Sequence, residues 1–241
     1  MRNEILRNAR RDPRINYRGA EASRIDNLTD AVFGIAITLL IFNLSNPNSY
    51  EDLLTFTKTL PAFLISISFI VLIWNEHLEF SRRYTLDDTW FKVLNTVFIA
   101  LVIFYVYPLR FLTMFLTNFF FSTDIEINIQ DQQVPYLMVY YGFVAFALYF
   151  VFYLLYRRAL GLKTHLQLND FEQFYTRAQK RRVAIMFLVP LTSIVLTLVI
   201  NGFSYMLASL LGGAVYFLYP PLMIWWAKRF KKKSREFDAP Q

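Results

Sequence analysis

Ionisable and hydrogen-bonding side chains set at the edges of apolar runs are where this 241-residue sequence can do chemistry. In RIDNLTDAVFGIAITLLIFNL, residues 24–44, Arg24, Asp26 and Asp30 lead into a run whose only hydroxyl before Asn43 is Thr38. Trp74 and His77 close another run in FIVLIWNEHLEF, and Asn95 stands near the start of LNTVFIALVIFYVYP. Ionisable groups at membrane depth are expensive, and they mark either a structural knot or an ion or proton path. Asp26 and Asp30 stand four apart on one helix, a repulsive pair unless a cation such as His77 or an arginine is near. The residues alone leave two readings open, a polar knot pinning three helices or a direct ion site. Enzyme chemistry has little to stand on. His77 and His165 are the only histidines and there is no cysteine. The G-x-S-x-G, P-loop, Rossmann and zincin patterns are missing, and no nucleophile sits with a base. The sequence therefore reads as a non-enzyme with no cofactor and no tightly bound metal.

The elements that carry these residues follow from composition. Of the chain 56% is hydrophobic, 18% aromatic and only 18% charged, where a soluble domain has about a quarter charged. Blocks of roughly 20 apolar residues are long enough to span a bilayer. Six such blocks are read at about 27–46, 54–76, 90–116, 135–156, 183–201 and 203–226, the last two parted by the turn signal Asn201-Gly202-Phe203. The fold class is all-α, a polytopic membrane protein. A basic N-terminal segment (1–26) precedes the six-helix domain (27–226), and a basic tail (227–241) follows it. Lys and Arg crowd the first segment, the loop at Arg82 and Arg83, the 157–182 connection and the tail, whereas 45–52 and 118–133 hold none. By the positive-inside rule both termini are cytoplasmic. The net charge of +7 is then a collar that touches anionic headgroups, and it gives no reason to invoke nucleic acid. No small-residue cleavage site follows the first apolar run, so no cleavable signal peptide is read. No repeat relates the two halves, which weighs against an inverted-repeat transporter.

Direction comes from about 100° per residue. Leu28, Ala31, Ile35, Thr38, Leu39, Phe42 and Asn46 fall on one narrow stripe of the first span, with Asp30 about 140° from its centre. The stripe is bulky and apolar at Ile35, Leu39 and Phe42. It reads either as an ordinary helix seam, with Thr38 bonding back to its own helix, or as a functional face. YYGF at 140–143 has only a superficial likeness to a potassium-filter loop, because it lies inside an unbroken apolar span.

The stretch 24–44 resembles the first span of the family of the lysosomal potassium channel, transmembrane protein 175. That family carries an arginine, three residues, then phenylalanine-serine-aspartate before an apolar run with an isoleucine or leucine and a threonine. Arg24 and Asp30 match, while Leu28 and Thr29 replace the phenylalanine and serine. FIVLIWNEHLEF is similar to the family's second span and LNTVFIALVIFYVYP to its third, so the likeness covers about 28–115. The resemblance implies a prokaryotic plasma-membrane homotetramer whose first helices line a potassium-permeable pore without a carbonyl filter. Ile35, Leu39 and Phe42 would form its hydrophobic constriction, and Thr38 would contribute to cation preference, with potassium passing near it. Arg24, Asp30, Trp74, His77 and Asn95 would hold the pore helix in place. Phe42, larger than the family's usual aliphatic residues, would narrow or occlude the pore.

Two other functions stay open on the residues. A proton or small-solute transporter would use Asp30 and His77 as a relay, and a non-transporting structural membrane protein would use the stripe only for packing. Lys58 and Arg110 are expected in the outer parts of the second and third spans. There they either snorkel to the outer interface or meet Asp52, Asp124 or each other's surroundings.

Overall fold

The computed structural model describes residues 12–19, 23–42, 48–121 and 129–237, leaving the side chains of 41, 42, 55, 116, 117 and 119–121 outside the description. In it the chain is helical: α1 (Arg24–Phe42), α2 (Tyr50–Lys58), α3 (Leu60–Tyr84), α4 (Thr89–Phe121), α5 (Val134–Gly161), α6 (Asp170–Asn201), α7 (Tyr205–Ala214) and α8 (Tyr219–Ser234). Among the described residues, five stretches are long and apolar enough to cross a membrane: Leu60–Tyr84, Thr89–Phe115, Asp131–Gly161, Asp170–Asn201 and Tyr205–Phe237. α1 has 19 residues and is not one of these five. The outward faces of the long helices carry large apolar side chains such as Phe104, Tyr107, Phe143, Leu198 and Phe217. In water such a surface would be an association hazard, whereas in hydrocarbon it is ordinary.

The element boundaries correct the sequence reading at several points. The second span does not begin at 54. Ser49 caps a separate short helix, α2, through a reciprocal capping box with Asp52, and the chain turns at Thr59 before α3. Pro61 explains the break, since its missing N–H and fixed φ favour the first turn of a new helix. Lys58 therefore ends α2, exposed, and does not sit within the second span. α6 starts at Asp170, well before 183, because Asn169 and Glu172 form a capping box there. The sixth apolar block is interrupted by a 3₁₀ turn at Val215–Leu218, just before the prolines at 220 and 221. α1 begins at Arg24 and not at 27.

Helix packing inside the chain follows from shape, since lipid removes the hydrophobic drive between spans. Gly212 lets α7 approach α6 closely: an added Cβ would stand 2.1 Å from the Thr197 hydroxyl. The Ser193 hydroxyl donates to the Gly212 carbonyl at 2.8 Å across that contact. Pro190 interrupts the α6 ladder and leaves the Met186 carbonyl without its usual partner, and the Tyr219 hydroxyl takes it at 2.8 Å. The core is a column of Phe33, Phe80, Phe91, Phe98, Phe152 and Tyr156, shared by α1, α3, α4 and α5.

Candidate functional site

α1 is built with two unlike faces. Ser23 accepts from the Asp26 backbone N–H at 3.1 Å, and Asp26 accepts from the Ser23 backbone N–H and hydroxyl at 3.1 and 2.8 Å. That capping box gives Asp26 a use that the sequence reading, with its search for a cation, did not foresee. Thr29, Val32, Phe33, Ala36 and Leu40 are then buried. Leu28, Ala31, Gly34, Ile35 and Thr38 are exposed in the single chain, Leu28 by 58% and Ile35 by 54%. The apolar stripe is thus no seam within the subunit. Its exposed part is also turned from the expected centre, toward Thr38 and Gly34, and Leu39 lies at the flank, half-buried against the core. Phe42 ends the helix with its side chain outside the described residues, and Asn46 lies outside them altogether.

The Thr38 hydroxyl donates to the Gly34 carbonyl at 2.9 Å. Back-bonding of this kind uses the proton inside the helix, so the oxygen lone pairs stay free to accept. On the exposed face Thr38 is therefore an acceptor, the polarity that suits a cation.

The polar groups behind α1 are brought together as two separate pairings. The Trp74 indole N–H donates to Asp30 at 2.7 Å, tying α3 to α1. His77 and the Asn95 amide oxygen stand at 2.7 Å, and the Asn95 NH₂ donates to the Thr29 hydroxyl at 2.9 Å. Thr29 in turn donates to the Ile25 carbonyl at 2.8 Å. The His77 ring stacks on Phe98, with centroids 5.0 Å apart and planes 8° apart. Phe98 meets Phe33 of α1 at 6.0 Å. Asp30 and His77 are thus spent on different partners. Arg24, at the first position of α1, is exposed, and no salt bridge ties it to Asp30 among the described residues.

Sequence reasoning missed a second ionic knot. Glu76 accepts from the Arg182 guanidinium of α6 and from the Tyr156 hydroxyl of α5, the latter at 3.2 Å. The only sequence signal was an acid one residue before His77, and its partner lies 106 positions away. The arginine collar is also partly committed. Arg18 donates to Glu172 at 2.8 and 3.0 Å and to the Leu166 and Gln167 carbonyls. Arg14 pairs with Asp12 and lies over the Phe171 ring at 3.9 Å. Residues 12–19 are in this way strapped across the end of the bundle, just ahead of α1. Arg110 is half-buried in α4, and Asp52 spends its carboxylate on the Asn48 and Ser49 backbone N–H groups. Asp124 lies outside the described residues. YYGF stays helical inside α5.

Comparison with known proteins then gives the context. Residues 24–105 match the family model described as Endosomal/lysosomal potassium channel TMEM175. A protein of Marivirga tractuosa named "Potassium channel" is 37% identical over 232 residues, covering 93% of this chain and 94% of that one. A potassium channel of Chamaesiphon minutus is 32% identical over 108 residues, 41% of this chain and 53% of that protein. Among solved structures, a threonine-to-alanine variant of the potassium channel MtTMEM175, in complex with a Nanobody-MBP fusion protein, superposes with TM-score 0.83 at 35% identity. The match covers 92% of this chain and 99% of that one. A lysosomal potassium-selective channel TMEM175 homologue from Chamaesiphon minutus shares the fold, with TM-score 0.54 at 23% identity, covering 86% and 96%.

Proposed function

The chain belongs to the family of the endosomal/lysosomal potassium channel TMEM175, and from that premise we propose that it is a potassium-permeable cation channel. The pore is lined by α1 from each copy of a homotetramer. α1 then counts as a sixth crossing, both termini are cytoplasmic, and the membrane is a prokaryotic plasma membrane, in keeping with relatives from Marivirga and Chamaesiphon. The basic residues not taken up by ion pairs face anionic headgroups.

The observation that carries this reading is the uncovered face of α1: an exposed apolar Ile35 followed, one turn on, by an acceptor hydroxyl at Thr38, which four copies would turn into a ring. A narrow apolar ring resists wetting and so gates without a moving part of its own. Thr38 offers a partly dehydrated cation an oxygen whose proton is already turned away. Leu39 lines the flank of the constriction and Phe42 its outer end. The Asp30–Trp74 and Thr29–Asn95–His77 contacts hold α1 in register, and Arg24 acts at the mouth. Chemistry in the enzymatic sense has no part in this account. A relay between Asp30 and His77 is disfavoured by their engagement with different partners.

The test is potassium efflux from liposomes holding the purified protein. Ile35→Asn should hydrate the ring and raise the flux several-fold at equal protein content. Unchanged flux in a correctly assembled Ile35→Asn protein removes Ile35 from the pore.

A further inference from the structure

We propose that the cleft between the first half of α6 and α8 is a binding site for the headgroup of an anionic phospholipid. The cleft has a volume of about 390 Å³ and is lined by Arg181, Arg229 and Lys233, with no carboxylate in its wall among the described residues. Among the described residues none of these three makes a salt bridge, in contrast to Arg182 beside them, which is spent on Glu76. Three cations around one concavity with no counter-charge among the described residues suit an anionic ligand. A phosphate group is suited to them, since guanidinium groups offer it paired donors.

The rest of the wall says where that anion comes from. Trp226 donates its indole N–H to the Ala178 carbonyl at 2.9 Å and stacks on Phe230 at 5.4 Å. Phe174 stacks on the same ring at 5.6 Å. These contacts fix a rigid aromatic wall. Arg229 lies over the Trp225 ring, 5.4 Å from its centroid. Ile185 continues the lining toward the apolar part of α6. Tryptophan belongs at the level of the headgroups, and an apolar floor beneath a basic rim suits a molecule with a phosphate at one end and acyl chains at the other. A soluble anion would gain nothing from that floor. Another cleft, lined by Trp90, Arg157 and Arg158, lacks the same excess charge, because Arg158 pairs with Asp88 at 2.9 Å.

The assignment rests only on α6 and α8 crossing a membrane, so its failure leaves the channel reading untouched. The experiment is native mass spectrometry of the full-length protein with phosphatidylglycerol or phosphatidylcholine of the same acyl chains. The wild type should retain phosphatidylglycerol about tenfold better. Arg181→Gln/Arg229→Gln/Lys233→Gln should reduce that preference to near parity. Lys228→Gln/Lys231→Gln/Lys232→Gln, which removes equal charge from α8 outside the cleft, should keep it. Equal retention of both lipids by the wild type overturns the proposal without reference to any variant. So does equal loss in both triple variants, which would reduce the effect to general charge. Displacement of the lipid by millimolar glycerol phosphate would make the ligand a soluble anion, and a changed oligomer mass with unchanged lipid preference would make the cleft a contact between copies. Either result contradicts the lipid assignment.

Discussion

The two faces of α1 are unlike, one packed into the bundle and the other uncovered. On one, Phe33 packs against Phe98, which stacks on His77, and Thr29 is tied through Asn95 to the same histidine. On the other, Ile35 and Thr38 touch little within their own chain. The first face is closely packed, and its Thr29 is hydrogen-bonded into the bundle. The second has a hydroxyl placed as an acceptor and, among the described residues, nothing to accept from. One helix thus separates what holds it from what it presents, and substitutions on the two faces should fall into different classes.

The largest effect is expected on the packed face. Phe33→Ala should cost about 3–5 kcal/mol, read as a lower thermal midpoint in detergent, whereas Ile35→Ala should stay within about 0.5 kcal/mol. Equal losses at both positions would erase the distinction. Next, Asn95→Leu leaves the Thr29 hydroxyl and the His77 ring without their shared partner inside the bundle. A destabilisation of about 1–3 kcal/mol is expected, and a neutral result would mean that the knot contributes nothing. Smaller again is Asp30→Ala, which removes the indole bond at the more exposed pairing. It should lower stability by about 0.5–1.5 kcal/mol and leave ion preference unchanged. Altered selectivity in a stable Asp30→Ala protein would move Asp30 from support to permeation.

The smallest effect concerns α2. Hydrogen bonding from Ser49 and the Asn48 and Ser49 backbone N–H groups holds the Asp52 carboxyl below its usual range. A depressed carboxylate contributes stability that is present above its unfolded value and lost as pH falls through the folded one. α2 should therefore fray only below the ordinary carboxylate range, in acid-side hydrogen exchange, and Ser49→Ala should shift that fraying upward in pH. Fraying at neutral pH in the wild type would contradict the cap.

What was legible in the sequence divides along the same lines. Long apolar blocks give spans by length alone, and helical spacing gathered Leu28, Ala31, Ile35 and Thr38 onto one side, where the structure leaves them uncovered. The spacing could not say which edge of the stripe the core takes, and the core takes Leu39. Trp74, His77 and Asn95 were visible because they are polar groups at the ends of apolar runs. Thr29 entered the sequence reading only as a replacement for the family's serine, yet it carries the α1 end of the knot. The Glu76–Arg182 pair was beyond reach, since Arg182 looks like one more member of a basic run until the fold turns it inward. The break before α3 did have a signal, Pro61, which was absorbed into an apolar count that ignores the missing N–H.

The central claim is that the uncovered face of α1 lines a potassium-permeable pore. The direct measurement is the reversal potential of the purified protein in planar bilayers under opposed potassium and sodium gradients, for the wild type and Thr38→Ala. The account predicts a wild-type reversal shifted toward the potassium equilibrium potential and a shift toward zero in the Thr38→Ala variant. Absence of current from folded oligomers of both the wild type and Phe42→Ala would contradict it. So would a current indifferent to Thr38 and Ile35 but abolished by His77→Ala.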